Sequence, residues 1–228
     1  MRITDIITKT IFILCLPILL LTASIGWAAN SQWLYEYGFE KYDISQKTGL
    51  TQSELDKAAA GLIRYFNSTE EYISITVVKD GEPFELFNER EVAHLRDVNG
   101  LFRMDYWVLL GSLIYALGYA GVWLFWRKDR QQLAQEVVGG SGLTLALMLI
   151  LGLGALLIFD QLFLQFHLIS FANEFWMLDP ARDYLIMLFP AGFWYDATLF
   201  CGLATAVGAV VMGGASWAYL RLARRAEP

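Results

Sequence analysis

"YWVLLGSLIYALGYAGVWLFW", residues 106–126, runs for 21 residues without a formal charge. A helix rises about 1.5 Å per residue and the hydrocarbon core of a bilayer is about 30 Å thick, so roughly 20 apolar residues make one crossing. Tyr106, Trp107, Trp123 and Trp126 stand at its two ends, where amphipathic rings anchor a helix at the membrane–water interface. The stretch reads as a transmembrane helix. Three more runs read the same way: "TIFILCLPILLLTASIGWAA" at 10–29, "VVGGSGLTLALMLILGLGALLIF" at 137–159 and "TLFCGLATAVGAVVMGGASWAYL" at 198–220. Of 228 residues, 56% are hydrophobic and 18% charged, against about 25% charged in soluble domains. The expected fold class is membrane α-helical: four transmembrane helices with a small extracellular α+β cap. A net charge of −6 disfavours nucleic acid as a partner.

Lysine and arginine set the orientation. Arg2 and Lys9, then Arg127, Lys128 and Arg130, then Arg221, Arg224 and Arg225 all fall on one side of a four-span chain. That side is the cytoplasm by the positive-inside rule. Residues 30–105 hold eight basic and fourteen acidic residues, and residues 160–197 hold one and five. The expected layout is a first transmembrane segment (1–29), an extracellular cap (30–105), a second span (106–126), a cytoplasmic loop (127–136), a third span (137–159), an outer loop with an interfacial helix (160–197), a fourth span (198–220) and a cytoplasmic tail (221–228). A cleaved secretory signal is the competing reading of the first run. Cys15 and Cys201 both fall inside spans, so no external disulfide framework is available. Gly152, Gly154, Gly208, Gly213 and Gly214 are expected to allow close helix approach.

Within the cap, "TQSELDKAAAGLIRYF" (51–66) opens on a capping box, Thr51 with Glu54. Leu55, Ala58, Ala59, Leu62, Ile63 and Phe66 then recur at helical spacing. "YISITVV" and "PFELF" flank Asp80-Gly81, a hairpin signal. Next comes "NEREVAHLRDVNGLF" (88–102), where Asn88 caps a helix with Glu91 at its third position. Arg90, His94 and Asp97 share one face of that helix, and Gly100 is expected to bend it before the span. The only other histidine lies in "FDQLFLQFHLISFANEFWMLDP" (159–180), with Phe163 and Phe171 four residues either side of His167. Asp160, His167 and Glu174 share a face if the helix runs on. Asp179 and Pro180 are expected to start a short interfacial helix that Pro190 ends. Both histidines thus map to the outer surface, and histidine is the usual general acid/base near neutral pH.

These two stretches, with the four-span layout, resemble the bacterial lipoprotein intramolecular transacylase family. The specific part is "HLRDV" and "FHLISFANEFWMLDP". The resemblance implies an acyltransferase of the cell membrane. It would move the sn-2 acyl chain of a diacylglyceryl lipoprotein to its N-terminal cysteine amine, with membrane lipid around it and no cofactor. By position, His94 and His167 are the candidate catalytic pair. Asp97 and Asp160 stand as candidate orienting groups, and Arg90 and Asn173 as oxyanion donors. Phe163, Phe166, Phe171 and Trp176 are candidate pocket walls. No G-x-S-x-G occurs, so nothing points to an acyl-enzyme. Two other readings stay open. One is a metal-dependent hydrolase using His94, Asp97, His167 and an acidic residue, although no H-E-x-x-H is present. The other is a non-catalytic membrane scaffold.

Overall fold

The computed structural model describes residues 3–226; Arg2 and the last two residues of the tail lie outside it. The described residues are mostly helical: they include four helices long and apolar enough to cross a membrane, and a small α+β cap. The element order is α1 (Ile3–Ala29), α2 (Gln32–Lys41), α3 (Ile44–Thr48), α4 (Gln52–Phe66), β1 (Thr76–Lys79), β2 (Glu82–Glu85), α5 (Glu89–Gly121), a π-helical turn (Val122–Trp126), α6 (Arg130–Ser170), α7 (Tyr184–Leu188) and α8 (Ala191–Ala226). Two compact units divide it: residues 1–26, 105–154 and 199–228, and residues 27–104 and 155–198.

In the first unit a buried cluster joins Phe12, Cys15 and Leu16 of α1 to Ala116 and Tyr119 of α5 and Leu133 of α6. The Phe12 and Tyr119 rings stack at 4.5 Å. Without water, polar groups must satisfy one another. The Thr205 hydroxyl accordingly donates to Ser24 Oγ at 3.0 Å, and the Tyr119 hydroxyl to the buried Glu136 at 2.8 Å. Small residues bring backbones close: a Cβ on Gly213 would meet Ser141 at 2.8 Å, and one on Gly208 would meet Leu20 at 3.1 Å. Gly152 and Gly214 do not act this way, because nothing lies within 4 Å of a Cβ built on either. Gly140, against Leu16, does.

The second unit is built on α4. Leu55, Ala58, Ala59, Leu62 and Phe66 are buried as the spacing predicts. They meet α2, whose Leu34, Tyr35 and Phe39 are buried, and the hairpin. Asp80 and Gly81 take φ of 54° and 86°, the left-handed pair that a two-residue hairpin turn needs. Strand register runs from Thr76↔Glu85 to Lys79↔Glu82. The capping box at Thr51 is half made: Glu54 N donates to Thr51 Oγ1 at 3.4 Å, but the Glu54 carboxylate turns to the hairpin and accepts from Val78 N at 2.9 Å. A bare two-stranded hairpin is marginal, and this bond fixes its open edge.

Several expectations change. No bend occurs at Gly100, since α5 is continuous from Glu89 to Gly121; its i to i−4 bonds tolerate one glycine. α6 breaks instead at Ile158 (φ −143°, ψ 37°) and ends at Ser170. Glu174 is therefore not on the helix that carries His167. Asp179 caps a turn through Ala181 N at 2.9 Å, and the short helix starts later, at Tyr184. Pro190 does follow that helix, but it also opens α8, accepting from Phe193 N at 2.9 Å. Residues 192–197, placed in the outer loop from the sequence, are thus the opening turns of α8.

Candidate functional site

α5 opens on a reciprocal capping box. Asn88 Oδ1 accepts from Glu91 N at 3.1 Å, and Glu91 Oε2 accepts from Asn88 N at 2.8 Å. One turn on, His94 is buried, 7% exposed, beside the buried Leu95. The last turn of α6 carries His167. The two imidazoles stack with ring centroids 6.2 Å apart and planes 28° from parallel. The second unit thus brings together the two histidines of the chain across 73 residues of sequence.

Aromatic rings enclose them. Phe163, Trp176, Phe166 and Phe171 lie 4.5, 5.0, 5.5 and 5.5 Å from the His167 ring, centroid to centroid. Phe171 also meets the His94 ring edge-on at 4.9 Å. All four rings named from the sequence are at the pair. Apolar rings this close lower the local dielectric and strengthen polar contacts beside them.

The two histidines differ in how they are held. His167 Nδ1 lies 2.8 Å from the Phe163 carbonyl oxygen. A carbonyl only accepts, so Nδ1 carries the hydrogen and the neutral ring presents its lone pair at Nε2. His94 Nδ1 is buried without a partner. It belongs to the charged part of α5, ahead of the uncharged run that begins at Tyr106. Burial first, then the neighbouring His167, pulls its pKa down to about 4, against a smaller upward pull from Asp97. His94 is therefore neutral at physiological pH.

The supporting groups are distributed unevenly. Asp97 Oδ2 accepts from Asn173 Nδ2 at 2.8 Å, and Asn173 Oδ1 accepts from Phe175 N at 3.0 Å. Arg90 Nη2 donates to the Glu174 carbonyl at 2.7 Å, while its buried Nε has no partner. Asp97 and Arg90 thus fasten the segment after α6 to α5. Asp160 is exposed two residues past the α6 break, and no hydrogen bond joins it to His167 among the described residues. Asp183, buried at 2% exposure, was not singled out from sequence. It accepts from Asn88 Nδ2 at 2.9 Å and from Asp179 N at 2.7 Å. The cue was present in "DPARD", where either aspartate can cap and the one nearer the apolar run precedes the helix.

Comparison with known proteins places the fold. A family model described as lipoprotein intramolecular transacylase Lit matches residues 10–194. No curated protein matches. The fold is similar to that of the membrane integral lipoprotein intramolecular transacylase Lit from Bacillus cereus, with a TM-score of 0.81 at 19% identity over 97% of this chain and 98% of that one. A variant of that Bacillus cereus protein, with a histidine changed to arginine, matches with a TM-score of 0.78 at 19% identity over 99% and 95% of the two chains. With the family model matched over most of its length, this chain belongs to the lipoprotein intramolecular transacylase family.

Proposed function

We propose that this protein moves the sn-2 acyl chain of a diacylglyceryl lipoprotein onto the α-amine of that lipoprotein's N-terminal cysteine, leaving a lyso-form lipoprotein. The observation that carries this reading is the stacked His94–His167 pair inside an aromatic wall, in a chain of this family. The amine nitrogen forms a bond to the ester carbonyl carbon, and the glyceryl C–O bond breaks. One proton must pass from nitrogen to oxygen. His167 Nε2, with its lone pair presented, takes that proton and returns it to the departing oxygen. His94, kept neutral by burial, gives a hydrogen bond to the tetrahedral oxyanion, as a neutral imidazole can. The unpartnered Arg90 Nε is a second donor for it. Both reacting groups belong to one substrate, so holding them close supplies several kcal/mol.

The basic segments at residue 9, at 127–130 and at 221–225 support cytoplasmic termini, with the cap and the histidine pair on the outer side. A cysteine placed at Ser53 should then react with an impermeant thiol reagent in intact cells, while one at Gln131 should not; the reverse pattern overturns this orientation.

Mass spectrometry of lipoprotein N-terminal peptides tests the activity. Cells with the gene should yield lyso-form peptides, and His94→Ala and His167→Ala should each abolish them while the protein still inserts. Peptides that remain diacylglyceryl-modified in the presence of the intact protein would sink the proposal. A membrane scaffold would tolerate both changes. For a metal hydrolase, no group of three or more His, Cys, Asp or Glu is placed to hold an ion among the described residues.

A further inference from the structure

Glu91 is among the most deeply buried side chains in the chain, at 1% exposure, and the proposed transfer does not use it. A buried carboxylate is costly unless its oxygens are met by donors. Among the described residues no cation pairs with this one; two backbone N–H groups meet it instead. Oε2 accepts from Asn88 N at 2.8 Å, at the start of α5, and Oε1 accepts from Leu185 N at 2.6 Å, in the first turn of α7. Beside it the Asn88 amide donates to the buried Asp183, which in turn accepts from Asp179 N. The carboxylate therefore joins two segments 94 residues apart, and only a group with two acceptor atoms fits. A glutamine offers one acceptor and turns its NH₂ on the other N–H. An aspartate falls one methylene short.

Position makes the clasp matter. His94 stands one turn beyond Glu91 on α5. The segment that Glu91 grips at Leu185 continues back through residues 171–183, which carry Phe171 and Trp176 against His167. We infer that Glu91 is a positioning residue for the histidine pair: its carboxylate clasps the first turn of α5 to that of α7, and so holds the rotation of α5 that turns His94 toward His167. Asp183 is its partner in this task. The inference draws on the proposed transacylation only for its kinetic consequence.

The test uses full-length protein in detergent. Diethyl pyrocarbonate acylates accessible neutral imidazoles, and mass spectrometry reports each site separately. In the wild type His94 should label slowly. Glu91→Gln should raise His94 labelling severalfold with the protein still folded by its thermal transition. Its kcat should fall about a hundredfold with KM little changed, the usual cost of a misplaced catalytic group. Glu91→Asp should recover part of both. Unchanged His94 labelling in folded Glu91→Gln, or wild-type kcat, overturns the inference. If Glu91→Gln does not accumulate as folded protein, Asp183→Asn decides by the same two readouts. If Glu91→Gln raises His94 labelling but the wild type never transfers an acyl chain, the proposed function is refuted and the clasp stands.

Discussion

A histidine has two nitrogens, and in His167 one of them is committed. The Phe163 carbonyl holds Nδ1, so the nitrogen left open is Nε2. His94 has neither a carbonyl nor a carboxylate on Nδ1, and its burial keeps it uncharged. Sequence placed both residues on one face but was silent on this asymmetry, because a backbone carbonyl partner leaves no trace in side-chain identity. The aromatic wall was legible for the opposite reason: Phe163, Phe166, Phe171 and Trp176 cluster along the chain around His167 and need only a helix and one turn to reach it. Glu174 failed to join because the heptad argument assumed a helix that runs on, and α6 stops at Ser170; Asp160 failed because two helical turns put it about 10 Å from His167 along the axis, on an exposed stretch. Arg90 has a prediction of its own. Arg90→Lys keeps the charge but loses the fixed Nε–H, so kcat should fall at least about tenfold with KM little changed; steady-state kinetics on a synthetic diacylglyceryl peptide measures it.

At the scale of elements, local signals carried furthest where few residues decide the backbone. Asp80-Gly81 named the hairpin turn and the structure has it, with both residues at positive φ. The spacing of α4 named its buried face. No element was assigned between residues 30 and 50, yet α2 and α3 occupy that stretch. Their polar and aromatic residues follow no clean period, and they form because neighbours cover them. Gly38 of α2 shows how: a Cβ there would run into the Phe193 ring, and one on Gly192 would meet the Tyr42 ring at 2.6 Å. The same helices are tied by Lys41, which pairs with Asp196 at 2.7 Å while Tyr42 donates to that carboxylate at 2.7 Å. Gly38→Ala should therefore destabilise by about 1–3 kcal/mol through overpacking. That lowers the thermal midpoint by roughly 2–10 °C, as a thermal unfolding scan in detergent would register.

Across the whole molecule, four uncharged runs and their aromatic ends were enough to specify the membrane fold. Which glycines bring helices together was not, since that depends on what faces each one. The electrostatics of the site also reach the stability of the protein. His94 titrates near 6.5 when unfolded and near 4 when folded, so between those values the unfolded chain binds the extra proton. Stability from this group is fully present above about pH 6.5 and is lost as pH falls toward 4. The thermal midpoint of the wild type should fall across that window, and that of a folded His94→Asn variant should fall less; equal slopes would contradict the assignment. The Phe163 carbonyl has a further consequence for the proposed chemistry. An imidazole open at both nitrogens can take a proton on one side and release it on the other, coupling its site to bulk water. With Nδ1 tied to the backbone, His167 has a single door. A proton that enters at Nε2 leaves at Nε2, so in the proposed transfer the ledger of each turnover closes at that one atom, and ester becomes amide without a net proton drawn from the medium.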